Sequence, residues 1–507
     1  MARRSFPQRG FHHLVLATGL GMLLLGILWA FLTSGSVPVA RRAEAAQDSV
    51  LGPYRTLPRL LPSYPITWMT PGEEALWAAV GGLEAAYLMN PDPYANSGSD
   101  GETAFEDWIA AALDEEASAA TSDETTPQEG GSSETLTHTV YLPLAAKSWA
   151  RPEVRALWVT RFDYSDAESI RTVVSKAAYA NFNVILFQVR ANGDAYYRSH
   201  REPWSQRLSG TLGQDPGWDP LATAITAAHE AGLALHAYVN VYPAWVGETP
   251  PISGTVPLHL YHAFNGAYGD EWLQWDGGGP MPLDPHYLWA SPGHPAVADH
   301  IISVCQDIVD NYAIDGLHLD NVRYAGAQYS HDPTSLSRYA AVSDTIGYAD
   351  WQRAQVTGLV ARIYTEVLTG NLTLSAAVWP FYDSGYDNYY QDSLGWSQGG
   401  AIDAIAPMLY ARSVLTDNAA FEARVSEFVI GAGERQVWPG IIAHSEDLPP
   451  EYATFDLVAQ RIQIARWNGA AGQAIFRYAL IDARDYWDDF RDGPYAAPVP
   501  VPEMPWK

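Results

Sequence analysis

Eight successive pairings of a short apolar strand with a helical pattern, from Pro152 onward, predict a (β/α)8 TIM barrel. The strand runs are largely apolar, the mark of a parallel sheet covered by helices. Polar and aromatic residues gather where the strands end, which is where such barrels carry their sites. The competing architecture, a doubly wound open sheet, lacks its glycine-rich phosphate turn after the first strand.

Taken in order, RALWVT leads to SDAESIRTVVSKAAYA, NVILFQVR to DPLATAITAAHEAG, and LALHAYVNVY to HPAVADHIISVCQDIVDNY. The fourth run, DGLHLDNV, leads to DWQRAQVTGLVARIYTEVLTG. TLSAAVWP, IDAIAPMLY, VWPGIIA and GQAIFRYA complete the eight, with helical patterns such as FDLVAQRIQIARWNGA between them. The connection after strand 3, Tyr242 to Pro295, is the longest and carries WLQWDGGG at Trp272 to Gly279. Its length on the functional face predicts a binding or lid element. The barrel domain is placed at 138–492, and a proline-rich tail of extended character at 493–507.

Ahead of the barrel, Arg3, Arg4 and Arg9 precede an uncharged run from Leu14 to Leu32, then small residues around Ala43 to Ala45. This reads as a signal peptide or, since 19 residues suffice to span a bilayer, as an uncleaved anchor over 1–46 that tethers the chain through residues 14–32. The arginines keep the N-terminus inside, so the remainder is expected to be extracellular or at the cell surface. A small helical region is placed at 47–115, with Thr70 as N-cap and Pro71 at the first helical position. Residues 116–137, acidic and rich in Ser, Thr and Gly, cannot repay their ordering entropy and read as a disordered linker.

Composition excludes some partners. With 58 acidic against 30 basic residues, a net −28, the chain repels a nucleic acid backbone. Nineteen tryptophans and 29 tyrosines supply rings that pack a core or stack on sugar faces. Cys305 is the only cysteine and lies in a helical pattern, so intrachain disulfides and thiolate clusters are out.

The strand ends hold the candidate site. Strand 1 ends at Trp158 and Thr160, followed by Arg161 and Asp163; strand 2 ends at Gln188 and Arg190, followed by Asp194 and Tyr196. The period of two puts His236, Tyr238 and Asn240 on one face of strand 3, and His318 with Asp320 on one face of strand 4. Strand 5 ends at Trp379 with Asp383 beyond, strand 6 at Tyr410, strand 7 near His444 and Glu446, strand 8 at Arg477 and Tyr478. Each has a bland reading: Asp320 accepting N–H groups of its own loop, Asp194 forming a turn, His236 as an interior histidine, the aromatics as packing. Asp320 is raised above that by its neighbours His318, Arg323 and Tyr324. No HxH, HExxH, P-loop or clustered carboxylate run occurs, so no metal or other cofactor is expected. Paired-carboxylate hydrolysis remains.

At this point RALWVT, FNVILFQVRANGDAYYRS, EPWSQRLSGTLGQDPGWDPL, AGLALHAYVNVY and DGLHLDNVRY together resemble the glycosyl hydrolase-like family 10 proteins, over residues 152 to 492. The resemblance implies a TIM barrel acting on glycans, with members that cleave bacterial cell-wall glycan strands, and an active-site aspartate on strand 4, here Asp320. The family's second motif falls on Gln188, Arg190, Gly193 and Asp194, and the asparagine of its third on Asn240. Two positions depart: Asn321 stands where many members have a second carboxylate, and Met408 where strand 6 tends to carry glutamine.

Hydrolysis of a glycoside needs a general acid and a second carboxylate. Asp320 is expected as nucleophile or base, kept ionised by Arg323 or Arg190. Asp383, beside Trp379, Phe381 and Tyr382, is the expected acid, with Asp194 and Glu446 as the other candidates. Gln188, Arg190, Asp194, Asn240, His318 and Arg323 are expected to bind a polysaccharide, with Trp158, Trp379, Tyr410 and Tyr478 as stacking platforms. A non-catalytic carbohydrate-binding barrel is the alternative, favoured by Asn321 and Met408. A metal-dependent deacetylase or phosphodiesterase is a third.

Overall fold

The computed structural model describes residues 151–444 and 454–507. The signal or anchor, the N-terminal helical region, the linker, the first residues of the predicted barrel domain and Glu446 lie outside the described residues.

Eight parallel strands form the barrel: Val154–Val159, Val184–Arg190, Ala234–Asn240, Gly316–Asp320, Thr373–Val378, Ala404–Pro407, the broken pair Gln436–Val437 and Gly440–Ile442, and Gly472–Phe476. They follow one another in chain order, and strand 8 returns to pair with strand 1. The seventh strand closes the ring. Its first piece pairs with strand 6 and its second with strand 8. The break falls at Trp438–Pro439, where proline has no N–H to give a ladder. Past it, Gly440 crosses strand 6 so closely that a Cβ would stand 2.9 Å from the Pro407 carbonyl oxygen. A side chain there would force the closing strands apart.

The helices between strands begin as their sequences dictate. Asp166 and Ser169 form a reciprocal capping box on helix Ala167–Tyr179, and Asp219 caps helix Pro220–Glu230 with Pro220 in its first turn. Leu157, Val159, Ile185, Phe187 and Val189 face these helices, while Ala156, Trp158, Leu186, Tyr238, Ala377 and Phe476 fill the barrel interior.

The predicted long loop after strand 3 is a built element. Pro243–Val246 pairs antiparallel with Tyr287–Trp289, and helix Leu260–Tyr268 lies between. The C-terminal tail, 493–507, is docked. The Pro500 and Ala497 carbonyls accept from Glu153 N and Arg155 at 2.9 and 2.8 Å, and Tyr495 is fully buried. Composition does not show the donors waiting for its carbonyls.

Candidate active site

Asp320 ends strand 4 at the C-terminal face and lines a cleft of about 540 Å³, open solvent included. It accepts from Tyr238 Oη at 2.6 Å through Oδ2 and from Asn321 N at 2.6 Å through Oδ1. Asn321 delivers that N–H by adopting φ +50°, a left-handed conformation asparagine tolerates, so its type has a local structural reason. Burial pushes the Asp320 carboxyl up from its ordinary range, against Tyr238, Arg323 and the Asn321 N–H. The expected lowering is thus reversed in sign: desolvation outweighs the positive charge nearby. Two donated hydrogen bonds still favour the ionised form as an acceptor.

Beneath this pair, Trp158 Nε1 donates to His318 Nε2 at 3.0 Å, and His318 Nδ1 sits 2.9 Å from Ser375 Oγ. An indole N–H only donates, so His318 is neutral with its proton on Nδ1. Burial holds its pKa down to about 3. With both nitrogens engaged, His318 supports the rings of Trp158 and Tyr238 and does not bind substrate, contrary to expectation.

Behind Asp320, the buried Arg323 guanidinium lies 5.1–5.3 Å from the ring centres of Trp289, Trp379 and Tyr389. Arg323 and Trp379 are therefore one packed unit behind the carboxylate, not part of the cleft lining. The lining comprises Trp158, Gln188, Tyr238, Asp320 and Tyr410 together with Thr160, Arg161, Phe162, Tyr287, Ala377, Met408, Phe476 and Arg477. Tyr410 stacks on Phe476 at 5.3 Å and 23°, giving one aromatic wall. Gln188 Oε1 accepts from Arg161 N at 3.0 Å and its Nε2 donates to Asn240 at 3.3 Å. Asn240 is fully buried in the layer beside Asp320, with Nδ2 lacking a partner among the described residues.

Four further expectations are corrected. The ladder skips a residue between Gln188 and Arg190, so Arg190 comes level with outward-facing Val239. There it forms a fully buried ion pair with Glu202 at 2.8 Å and donates to the Val241 and Pro243 carbonyls, each at 3.2 Å. Asp383 is exposed and stands in the field of Glu427, whose carboxyl burial raises and Asp383 raises further, away from the cleft. The helix Tyr382–Asn388 turns it outward. Asp194 accepts from Asn192 N at 3.0 Å as a turn former. Tyr478 packs on Trp487 at 5.5 Å, one residue past the cleft-lining Arg477. Of the lining residues, Arg161 and Arg477 stand at the predicted ends of strands 1 and 8 without a predicted role, and Tyr287 and Phe476 are not among the predicted strand-end residues.

A closed parallel barrel with a carboxylate at the tip of strand 4 and aromatic walls around it defines a glycosidase-like (β/α)8 protein. The chain belongs to the family described as glycosyl hydrolase-like 10, whose model matches residues 153–431. Glycosyl hydrolase YngK of Bacillus subtilis strain 168 is 25% identical over 419 residues, 73% of this chain and 77% of that protein. Glycosyl hydrolase DigH of Escherichia coli K12 is 26% identical over 307 residues, 53% of this chain and 68% of its own. Among solved structures, the PgaB (BpsB) glycoside hydrolase domain from Bordetella bronchiseptica aligns with a TM-score of 0.49 at 14% identity, over 67% of this chain and 98% of that one.

Proposed function

We propose that this protein is an exported glycoside hydrolase that cleaves O-glycosidic bonds in a polysaccharide, bacterial cell-wall glycan strands being the leading substrate. The observation that carries the reading is Asp320, the only carboxylate among the described residues lining the cleft, with both oxygens hydrogen-bonded and aromatic rings around it. It acts at the anomeric centre, as nucleophile or through a water it activates. Tyr238 stays a donor, because burial lifts its phenol well above the ordinary value, and it steadies the carboxylate as charge develops on the sugar. With Asp383 outside the cleft and Asp194 tied into a turn, the proton donor falls to Glu446, two residues beyond His444 at the end of strand 7. Export rests on Arg3, Arg4 and Arg9 ahead of the apolar run 14–32, which either is cleaved or holds the protein at the membrane.

The test is reducing-sugar release from peptide-free cell-wall glycan strands and a panel of polysaccharides, comparing wild type with Asp320→Asn and Glu446→Gln. Release that collapses in both variants supports the reading. A second reading, a carbohydrate-binding barrel without chemistry, is favoured by the lack of another carboxylate among the described lining residues. Glycan binding with no release by the wild type would select it.

A further inference from the structure

Arg477, just past strand 8, is held in place by strand 1 and left half-used. Its NH1 donates to Thr160 Oγ1 at 2.6 Å and to Asp163 Oδ1 at 3.2 Å. Asp163, whose side chain is fully buried, is fixed in turn by Thr160 N at 2.6 Å and Thr160 Oγ1 at 2.8 Å. The threonine hydroxyl thus gives its proton to Asp163 and offers a lone pair to Arg477, so three groups orient one another. Nε and NH2 of Arg477 have no partner among the described residues, and the side chain, 13% exposed, lines the cleft. A guanidinium is a rigid fork, and fixing one nitrogen fixes the direction of the others. Arg477 follows Phe476 in the chain and lines the same cleft as the wall built by Tyr410 and Phe476.

We infer that Arg477 is a specificity-determining binding residue, gripping two adjacent hydroxyl oxygens of an uncharged sugar ring stacked on Tyr410 and Phe476, with Thr160 and Asp163 as its positioning residues. The neighbouring carboxylate decides the ligand's charge. Asp163 already balances the Arg477 cation at 3.2 Å, so the remaining N–H groups face a locally neutral site and suit a vicinal diol better than a carboxylate. Ring stacking and edge-on hydroxyl contacts are compatible only if the ring lies flat on the wall, because equatorial hydroxyls then point at its rim. The inference rests on the proposed function for the ligand being a glycan, and does not depend on Asp320 doing chemistry.

The test is saturation-transfer NMR on the full chain with D-glucose, D-galactose, D-mannose and N-acetyl-D-glucosamine, with D-glucuronate as charged comparator. The expected result is transfer to at least one neutral sugar that is insensitive to high salt. Arg477→Met weakens it about 10- to 100-fold in Kd, and Arg477→Lys nearly as much, since lysine keeps the charge but loses the fork. If Arg477→Met does not fold, the lysine variant and the wild-type salt series decide. Absence of transfer to every neutral sugar, wild-type affinity in a folded Arg477→Met, or salt-sensitive binding of glucuronate alone would each overturn the inference. Arg477-dependent sugar binding without any reducing-sugar release would instead sink the hydrolytic reading and leave this one standing.

Discussion

The two ends of the barrel each carry a buried carboxylate, and they are equipped differently. Asp403, just before strand 6 at the N-terminal end, accepts from Tyr364 Oη, Leu374 N, Trp506 Nε1 and Lys507 Nζ at 2.7–2.9 Å. Two of those donors belong to the docked C-terminal segment. Asp320, at the opposite end, has two hydrogen-bonding donors and a cleft in front of it. A carboxylate whose lone pairs are all taken can only hold structure together; one left with capacity toward a cavity can do chemistry. The same contrast separates two arginines. Arg190 spends its donors on Glu202 and on carbonyls, whereas Arg477 lines the cleft with Nε and NH2 unpartnered among the described residues.

The largest effect should separate the two aspartates. Asp320→Asn is expected to lower kcat by about 1000-fold or more with an unchanged melting temperature. Asp403→Asn is expected to leave kcat per folded molecule intact and to destabilise by about 1–3 kcal/mol, because it leaves buried donors poorly matched. Equal losses of kcat in both would erase the distinction. Next comes the closed ion pair: Glu202→Gln strands the Arg190 charge and should cost about 3–5 kcal/mol by urea unfolding. Burial works against Glu202 but Arg190 and His300 outweigh it, holding its pKa down to about 2. Its contribution is therefore present above the ordinary carboxylate range and lost as pH falls toward that value.

Acid should loosen the barrel interior before it reaches Glu202. Burial holds His236 down to about 4 and His318 down to about 3. The unfolded chain takes up these protons below about pH 6.5 while the fold refuses them, so stability is full above that pH and falls as pH drops toward 4. Melting temperatures across that range check this; a flat profile between pH 7 and 4 would contradict it. The smallest effect is expected from Tyr238→Phe. Removing the phenol leaves desolvation of Asp320 less opposed, so the acid limb of the kcat profile should move to higher pH while KM changes little.

The fold was legible because its signal is periodic. Eight apolar runs separated by helical patterns admit few arrangements, and Asp320, at the end of one of them, was placed by counting. What failed was whatever breaks the count. The skipped residue after Gln188 rotates Arg190 outward, and the helix following Phe381 carries Asp383 away from the rim. Tyr238 was on the expected face, but its bond to Asp320 joins residues 82 apart, a register that pattern alone does not fix. Arg477 is visible as a strand end, but the sequence alone favours the aromatic Tyr478 beside it. Its significance comes from Asp163, 314 residues away, and a single sequence does not report that contact.

Chemical rescue tests whether the Asp320 carboxylate acts at the anomeric carbon. Asp320→Ala is assayed on peptide-free cell-wall glycan strands with and without sodium azide, after circular dichroism confirms the fold. Negligible release is expected without azide, and restored cleavage with a glycosyl azide product when azide occupies the space of the missing carboxylate. Undiminished release by Asp320→Ala in the absence of azide would contradict that role.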